Sequence, residues 1–123
     1  MKIVNLKTFR SLPSGTIAMK YEPCNFGRLF VKGETWKHDF ILAYLTDEID
    51  CNSSDEFVDK LTLAEKKGVS IAMSFEETMR DGLFEENQLF AIWEKNDILG
   101  LINKLKECLE IPYNKSLNSE FTR

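Results

Sequence analysis

Residues 16–33, with the sequence TIAMKYEPCNFGRLFVKG, predict the element from which the rest of the fold grows. Thr16 to Glu22 alternates between apolar and polar side chains, which is the pattern of a strand with one buried face. Pro23 to Gly27 has the composition of a turn, and Arg28 to Lys32 is predicted as a second strand. The spacing predicts a β-hairpin with a five-residue connection, and therefore an antiparallel start to the sheet.

Further strands and three helices follow from the same kind of pattern. Three short runs rich in apolar residues predict strands at Asp39–Leu45, Val69–Phe75 and Gln88–Glu94. The first predicted helix is Leu6–Leu12, capped by Asn5. The second begins at the capping box Ser53–Glu56 and ends at Gly68. The third is capped by Asn96 or Asp97 and ended by Pro112.

The predicted order of elements is α-β-β-β-α-β-β-α, which indicates an α+β fold. We expect a mostly antiparallel sheet of about five strands, with two main helices packed on one face and a short N-terminal helix. The length of 123 residues fits one domain with its own core. Residues 1–111 are therefore expected to form a single domain, and residues 112–123 a polar C-terminal tail.

Composition and charge exclude several classes of function. The chain carries 20 acidic and 16 basic residues, a net charge of −4, which disfavours binding to duplex nucleic acid. No apolar run is long enough to span a bilayer, and the N-terminus lacks the apolar segment of a signal peptide. We therefore expect no membrane partner and a location in the cytoplasm.

The residues that usually carry catalysis or metal binding are few and scattered. The three cysteines include no Cys-x-x-Cys pair and His38 is the only histidine, so no metal, cofactor or Ser-His-Asp triad is expected. Cys24, in a predicted turn, is the one cysteine expected to be exposed, but no base is placed to activate its thiol. The sequence therefore predicts a protein that is not an enzyme. An acidic run is interpreted as a solvated loop; it contains Glu76, Glu77, Asp81, Glu85 and Glu86.

Two loops gather the residue types that a nucleotide-like ligand requires. Arginine and lysine offer positive charge to phosphate, amides offer hydrogen bonds, and aromatic rings offer a flat face to a base. The first loop runs from Lys20 to Arg28 and the second from Met79 to Phe84. The candidate ligand-binding residues are Lys20, Tyr21, Asn25, Phe26, Arg28, Lys32, Arg80 and Phe84.

Two other interpretations of these residues stay open. A mixture of tyrosine, tryptophan and arginine is also typical of protein interfaces, and Trp36 is expected to be exposed. Alternatively, Tyr21 lies in the core and Arg28 forms a surface ion pair with a glutamate. Whether Arg28 and Arg80 converge depends on the order of the strands in the sheet.

Five segments in both halves of the chain carry a further signal. They are LKTFRSLPSGT at Leu6–Thr16, then Lys20–Pro23, Lys32–Glu34, Arg80–Phe84 and Gln88–Asp97. These segments resemble a family of small proteins encoded by phages and prophages, and the likeness spans most of residues 1–110. The family has no catalytic motif, so the resemblance assigns no active-site residue. It implies an origin in a bacterial virus and a location in the host cell cytoplasm.

The resemblance implies a role in the conflict between phage and host, because small acidic proteins of that origin often neutralise host defences. We expect a non-enzymatic accessory protein that binds and sequesters a nucleotide-derived immune signal. An inhibitor that binds a host defence protein directly is the alternative, and a virion or regulatory component is a third. Exposed strand edges such as Arg28–Lys32 can pair between chains, so a homodimer is also compatible with the sequence.

Overall fold

A six-stranded antiparallel sheet organises the first part of the molecule. The computed structural model describes residues 1–83 and 85–115. The chain forms two compact units, and the first, Met1–Glu48 with Ser74–Lys95, contains all six strands. In chain order the strands are β1 (Lys2–Asn5), β2 (Ile17–Glu22), β3 (Asn25–Trp36), β4 (Asp39–Tyr44), β5 (Thr78–Arg80) and β6 (Leu89–Ile92).

The order of the strands across the sheet is β1-β6-β2-β3-β4-β5, and each neighbouring pair is antiparallel. Strand β2 is central, because Ala18 pairs with Phe30 of β3 on one side and with Ile92 of β6 on the other. The β2–β3 hairpin therefore lies beside the segment that leads into β6. The α+β class and the antiparallel sheet are confirmed, with six strands in place of the expected five.

A short helix closes one face of this sheet. Helix α1 (Leu6–Ser11) follows β1 directly, and the Asn5 side chain caps it by accepting a first-turn backbone N–H at 2.9 Å. Phe9 is fully buried; its ring stacks on Phe90 with centroids 3.9 Å apart and meets Phe40 edge-on at 4.9 Å. The predicted short N-terminal helix contributes Leu6 and Phe9 to the core of the sheet.

The connection between β2 and β3 is shorter than the sequence predicts. Glu22 pairs with Asn25, so only Pro23 and Cys24 link the two strands, and the prediction of a five-residue connection is wrong. Cys24 adopts a left-handed conformation, with φ 63°, which permits a tight turn after a proline. Asn25 and Phe26 consequently belong to the start of a strand and have fixed positions opposite β2.

Two strands were missed and one was predicted where none forms. β1 and β5 are short edge strands whose sequences carry no strong alternation. Val69–Phe75 alternates cleanly but forms no strand; only Met73 makes an isolated bridge, to Ile49. Alternation describes which side chains share a face, but a strand also needs a partner along its length, and this segment lacks one among the described residues.

The second unit contains Ile49–Met73 and the described residues that follow Lys95. Its first helix, α2 (Ser54–Lys67), begins as predicted, because the Ser53 side chain accepts the backbone N–H of Glu56 at 3.1 Å. The Glu56 carboxylate accepts the N–H of Asn52 instead of the expected Ser53. Gly68 ends the helix in the predicted left-handed conformation, with φ 67°.

The last helix, α3 (Lys95–Leu109), begins before Asn96 and Asp97, so the prediction that one of them caps it is wrong. Pro112 does not end α3; it opens a separate helical turn at residues 112–115, the first position of which suits a proline. The rest of the predicted tail, residues 116–123, lies outside the described residues. Within residues 1–83 and 85–115, no helix is long and apolar enough to cross a membrane.

Candidate functional site

An open cleft of about 620 Å³ lies in the first unit, beside the β2–β3 hairpin. The hairpin forms one wall and the segment that leads into β6 forms the other. The central position of β2 explains the cleft, because it holds these two parts of the chain side by side. The hairpin contributes Lys20, Glu22, Asn25, Phe26 and Gly27, and the other wall contributes Leu83, Glu85 and Gln88.

Two connections hold the walls of the cleft together. The Lys20 ammonium forms an ion pair with the Asp81 carboxylate, and both side chains are largely buried. The Gln88 side-chain amide donates hydrogen bonds to the backbone carbonyls of Tyr21, at 3.1 Å, and Leu89, at 2.9 Å. The shape of the cleft is therefore set by contacts within the protein before any ligand arrives.

The cleft is acidic. The Glu22 and Glu85 side chains are exposed and form no ion pair within the described part of the chain. The one lysine of the lining, Lys20, is already neutralised by Asp81. Because the amide hydrogens of Gln88 are used on backbone carbonyls, its side-chain oxygen is the hydrogen-bonding atom that remains. The side-chain amide of Asn25 adds two donors and one acceptor, so acceptors outnumber donors in the lining.

Phe26 gives the cleft a flat apolar surface. Its side chain is 52% exposed, and its ring is braced from one side by the Tyr21 ring, with centroids 5.4 Å apart. The Tyr21 hydroxyl in turn accepts the backbone N–H of Cys24 at 3.1 Å, which ties the ring to the turn. Tyr21 therefore supports Phe26 and the hairpin, and does not itself line the cleft.

A small inner cavity of about 10 Å³ shares three lining residues with the cleft: Lys20, Glu85 and Gln88. This volume is roughly that required by one water molecule. Arg10 also borders the inner cavity; one of its terminal nitrogens donates to the backbone carbonyl of His38. The Arg10 Nε–H is buried and has no hydrogen-bond partner within the described residues.

Arg28 lies outside the lining of the cleft. Its guanidinium is 3.7 Å from the centroid of the Tyr44 ring and pairs with Glu48 at 3.2 Å and Asp47 at 3.4 Å. It also donates to the backbone carbonyl of Thr46. These contacts match the alternative in which Arg28 forms a surface ion pair with a glutamate.

Lys32 is buried and unavailable to a ligand. Only 2% of its surface is exposed, and its ammonium donates to the Gly33 carbonyl at 3.0 Å, 5.8 Å from the centroid of the Phe9 ring. Burial lowers the pKa of Lys32, because desolvation penalises the charged form. Its role is in the core of the sheet.

Arg80 belongs to a second cluster, which we call the Trp36 cluster, made of Trp36, Lys37, Asp39 and Arg80. The Arg80 guanidinium lies 4.5 Å from the centroid of the Trp36 ring, and the Lys37 ammonium lies 5.1 Å from it. Arg80 Nε donates to the Asp39 carboxylate at 3.0 Å. Trp36 is half exposed, as the sequence predicts.

Asp39 is the buried member of the Trp36 cluster and holds Arg80 in place. It is 3% exposed and accepts hydrogen bonds from the backbone N–H groups of Phe40, at 2.9 Å, and Gly82, at 3.0 Å, besides that from Arg80. Burial acts to raise the pKa of Asp39, but these hydrogen bonds and the charge of Arg80 outweigh it, so the pKa is lowered. The carboxylate is held charged and fixes the position of Arg80.

The predicted ligand-binding residues therefore separate into groups. Lys20, Asn25 and Phe26 line the cleft with Tyr21 behind them, whereas Arg28, Lys32 and Arg80 are engaged elsewhere. Phe84 lies outside the described residues. Glu22 and the residues of the second wall were not among the predicted ligand-binding residues; those of the second wall were missed because their proximity to the hairpin follows from the pairing of β2 with β6.

Groups for other chemistry are sparse. Within residues 1–83 and 85–115, no three His, Cys, Asp or Glu side chains are placed to hold a metal ion. The three cysteines are free, and Cys24 is exposed, as predicted. The predicted solvated acidic run is used in part, since Asp81 pairs with Lys20 and Glu85 lines the cleft.

Comparison with known proteins gives no relative: no protein-family model, no curated protein and no solved structure matches this chain.

Proposed function

We propose that this protein is a non-enzymatic binding protein and that the cleft beside the β2–β3 hairpin is its ligand site. The observation that carries the proposal is a cleft of about 620 Å³, within the roughly 300–1,000 Å³ range of small-molecule sites. Its walls are tied to each other, and they present a flat ring and unused hydrogen-bonding groups.

The ligand proposed from the resemblance to phage proteins is a nucleotide-derived immune signal, which the protein would sequester. The distribution of charge supports a particular mode of binding. Glu22 and Glu85 repel phosphate, and the arginines that a phosphate would require are engaged outside the cleft. The base and sugar would occupy the cleft and stack on Phe26, with any phosphate directed to solvent.

A ligand screen tests this proposal. The purified protein is heated in the presence of cyclic di- and trinucleotides, cyclic ADP-ribose isomers, NAD or ATP, and each bound molecule is released and weighed by mass spectrometry. The proposal predicts a rise in melting temperature with at least one of them and recovery of that ligand intact. Recovery of a cleaved ligand would make the protein an enzyme, and the absence of any shift would exclude this ligand class.

A second candidate function, direct binding to a host defence protein, is favoured by the Trp36 cluster. A half-exposed tryptophan flanked by two cations is typical of the residues that dominate protein interfaces. If this surface is the functional one, Trp36→Ala lowers affinity for a purified defence protein by about tenfold or more, while Phe26→Ala leaves it unchanged. The opposite pattern, measured by surface plasmon resonance, would return the function to the cleft.

A further inference from the structure

The balance of donors and acceptors in the cleft restricts the chemistry of the ligand that fits it. The carboxylates of Glu22 and Glu85 and the remaining side-chain oxygen of Gln88 all accept hydrogen bonds. A ligand that presents N–H groups matches these atoms, and one that presents further oxygens leaves them unpaired or repelled.

Phe26 restricts the shape of the ligand. Its exposed ring is held by Tyr21, and Tyr21 is held by the two-residue turn, so the face of the ring has a fixed direction. A flat conjugated group gains by stacking on a fixed aromatic face, because neither partner loses much freedom on contact. A planar group that carries N–H donors on one edge satisfies both restrictions.

Glu85 is the residue best placed to recognise such an edge. It borders both the outer cleft and the inner cavity. A carboxylate accepts two parallel N–H donors at once. Guanine presents such a pair of adjacent N–H donors on its Watson–Crick edge, beside a carbonyl oxygen.

We infer that the cleft recognises a planar group with two parallel N–H donors, and that its ligand is a guanine-type base held by Glu85 and stacked on Phe26. This inference rests on the proposed function and names the part of the ligand that the cleft recognises. Adenine, cytosine and uracil each place a ring nitrogen or a carbonyl acceptor where guanine has one of its two donors, so a carboxylate disfavours them. A guanidinium group shares the donor pair without the adjacent carbonyl.

Isothermal titration calorimetry with guanosine, inosine, adenosine and free arginine tests the inference. Inosine lacks the exocyclic amine and keeps the rest of the guanine edge, so it isolates the second donor. Guanosine is expected to bind about tenfold or more tightly than inosine or adenosine, as the loss of one hydrogen bond to a charged group predicts. If arginine binds and guanosine does not, the cleft recognises a guanidinium group, and the assignment of a guanine-type base is overturned.

The matched variants are Glu85→Gln and Glu86→Gln. Both remove one negative charge from an exposed side chain, but only Glu85 borders the cleft. Glu85→Gln is expected to weaken guanosine binding about tenfold or more, whereas Glu86→Gln leaves it unchanged. Equal effects of the two variants, or equal binding of guanosine and adenosine, would overturn the inference and leave the cleft as a ligand site. The absence of binding by every nucleoside and every nucleotide of the screen would remove the proposed function as well.

Discussion

Asp39 shows how one buried carboxylate serves the sheet and the Trp36 cluster at the same time. Its oxygens accept backbone hydrogen bonds from β4 and from the turn after β5, and the guanidinium of Arg80 supplies the compensating charge. A buried carboxylate without these partners would be protonated or would destabilise the fold. The chain therefore depends on the charged form of Asp39 for its stability.

This dependence predicts how stability changes with pH. The pKa of Asp39 is lowered in the folded state, so its contribution is complete above the unfolded-state pKa of about 3.9 and is lost as pH falls through the lower folded value. The free energy of unfolding should drop between pH 5 and pH 2 by a larger amount in the wild type than in Asp39→Asn.

Urea denaturation at pH 7, pH 5 and pH 2 measures the effect of the substitution on the free energy of unfolding and the drop in that free energy on acidification. At pH 7, Asp39→Asn should lower the free energy of unfolding by about 1–3 kcal/mol, because buried backbone donors lose a charged acceptor. Glu34→Gln is the control, since Glu34 is an exposed carboxylate on β3 with no ion pair within the described residues. If Asp39→Asn lost as much stability on acidification as the wild type and Glu34→Gln do, this account of Asp39 would be contradicted.

At the level of elements, the predictable features are those in which a few neighbouring residues determine the geometry. The caps at Asn5 and Ser53 and the left-handed Gly68 were predicted from the sequence because each is a local hydrogen bond or dihedral angle. The two-residue turn was missed because it requires a left-handed Cys24, a conformation that non-glycine residues adopt rarely.

Strand β3 contains a second local constraint, at Gly33. Its register against β4 shifts between Lys32 and Thr35, and at this irregularity the backbone of Gly33 comes close to Ile41. A Cβ atom added at Gly33 would lie 3.0 Å from Ile41 Cβ and 3.1 Å from its Cγ2. These atoms belong to the stem of a β-branched side chain and have little freedom to move aside.

Gly33→Ala is therefore expected to destabilise the sheet by about 1–3 kcal/mol, the usual cost of an overpacked position. The control is Gly27→Ala, where the nearest atom to the added Cβ would be a backbone oxygen at 3.4 Å, an ordinary contact distance. Thermal denaturation followed by circular dichroism compares the two variants. Equal melting temperatures for Gly33→Ala and the wild type would contradict this prediction and show that the Ile41 side chain moves aside without cost.

At the scale of the whole molecule, the candidate site is a consequence of the strand order. Lys20, Asn25 and Phe26 were identified from the sequence because they share one hairpin. The opposite wall was not identified from the sequence. Gln88 of that wall is brought beside the hairpin by the antiparallel pairing of Tyr21 with Leu89, two residues 68 positions apart along the chain. Arg28, on β3, and Arg80, on β5, lie outside the cleft, each with its own acidic partner.

The cleft is acidic, as is the whole chain with its net charge of −4, because the unpaired ionic groups of its described lining are carboxylates. A protein built to hold phosphate would concentrate arginine and lysine at the site, as the sequence interpretation assumed. The ligand proposed here is instead a ring with hydrogen-bond donors, for which the exposed ring of Phe26 would supply the stacking surface.

The measurement that tests the central claim most directly is ligand binding by two phenylalanine variants. Phe26 and Phe75 are 52% and 51% exposed, so alanine at either position removes a similar exposed ring, but only Phe26 lines the cleft. Wild-type protein and both variants are titrated by calorimetry with guanosine and with each nucleotide that raises the melting temperature. We predict that Phe26→Ala weakens binding by about tenfold or more, as expected for the loss of a base-stacking ring, and that Phe75→Ala binds like the wild type. Unchanged binding by Phe26→Ala, or equal losses in both variants, would contradict the assignment of the cleft as the ligand site.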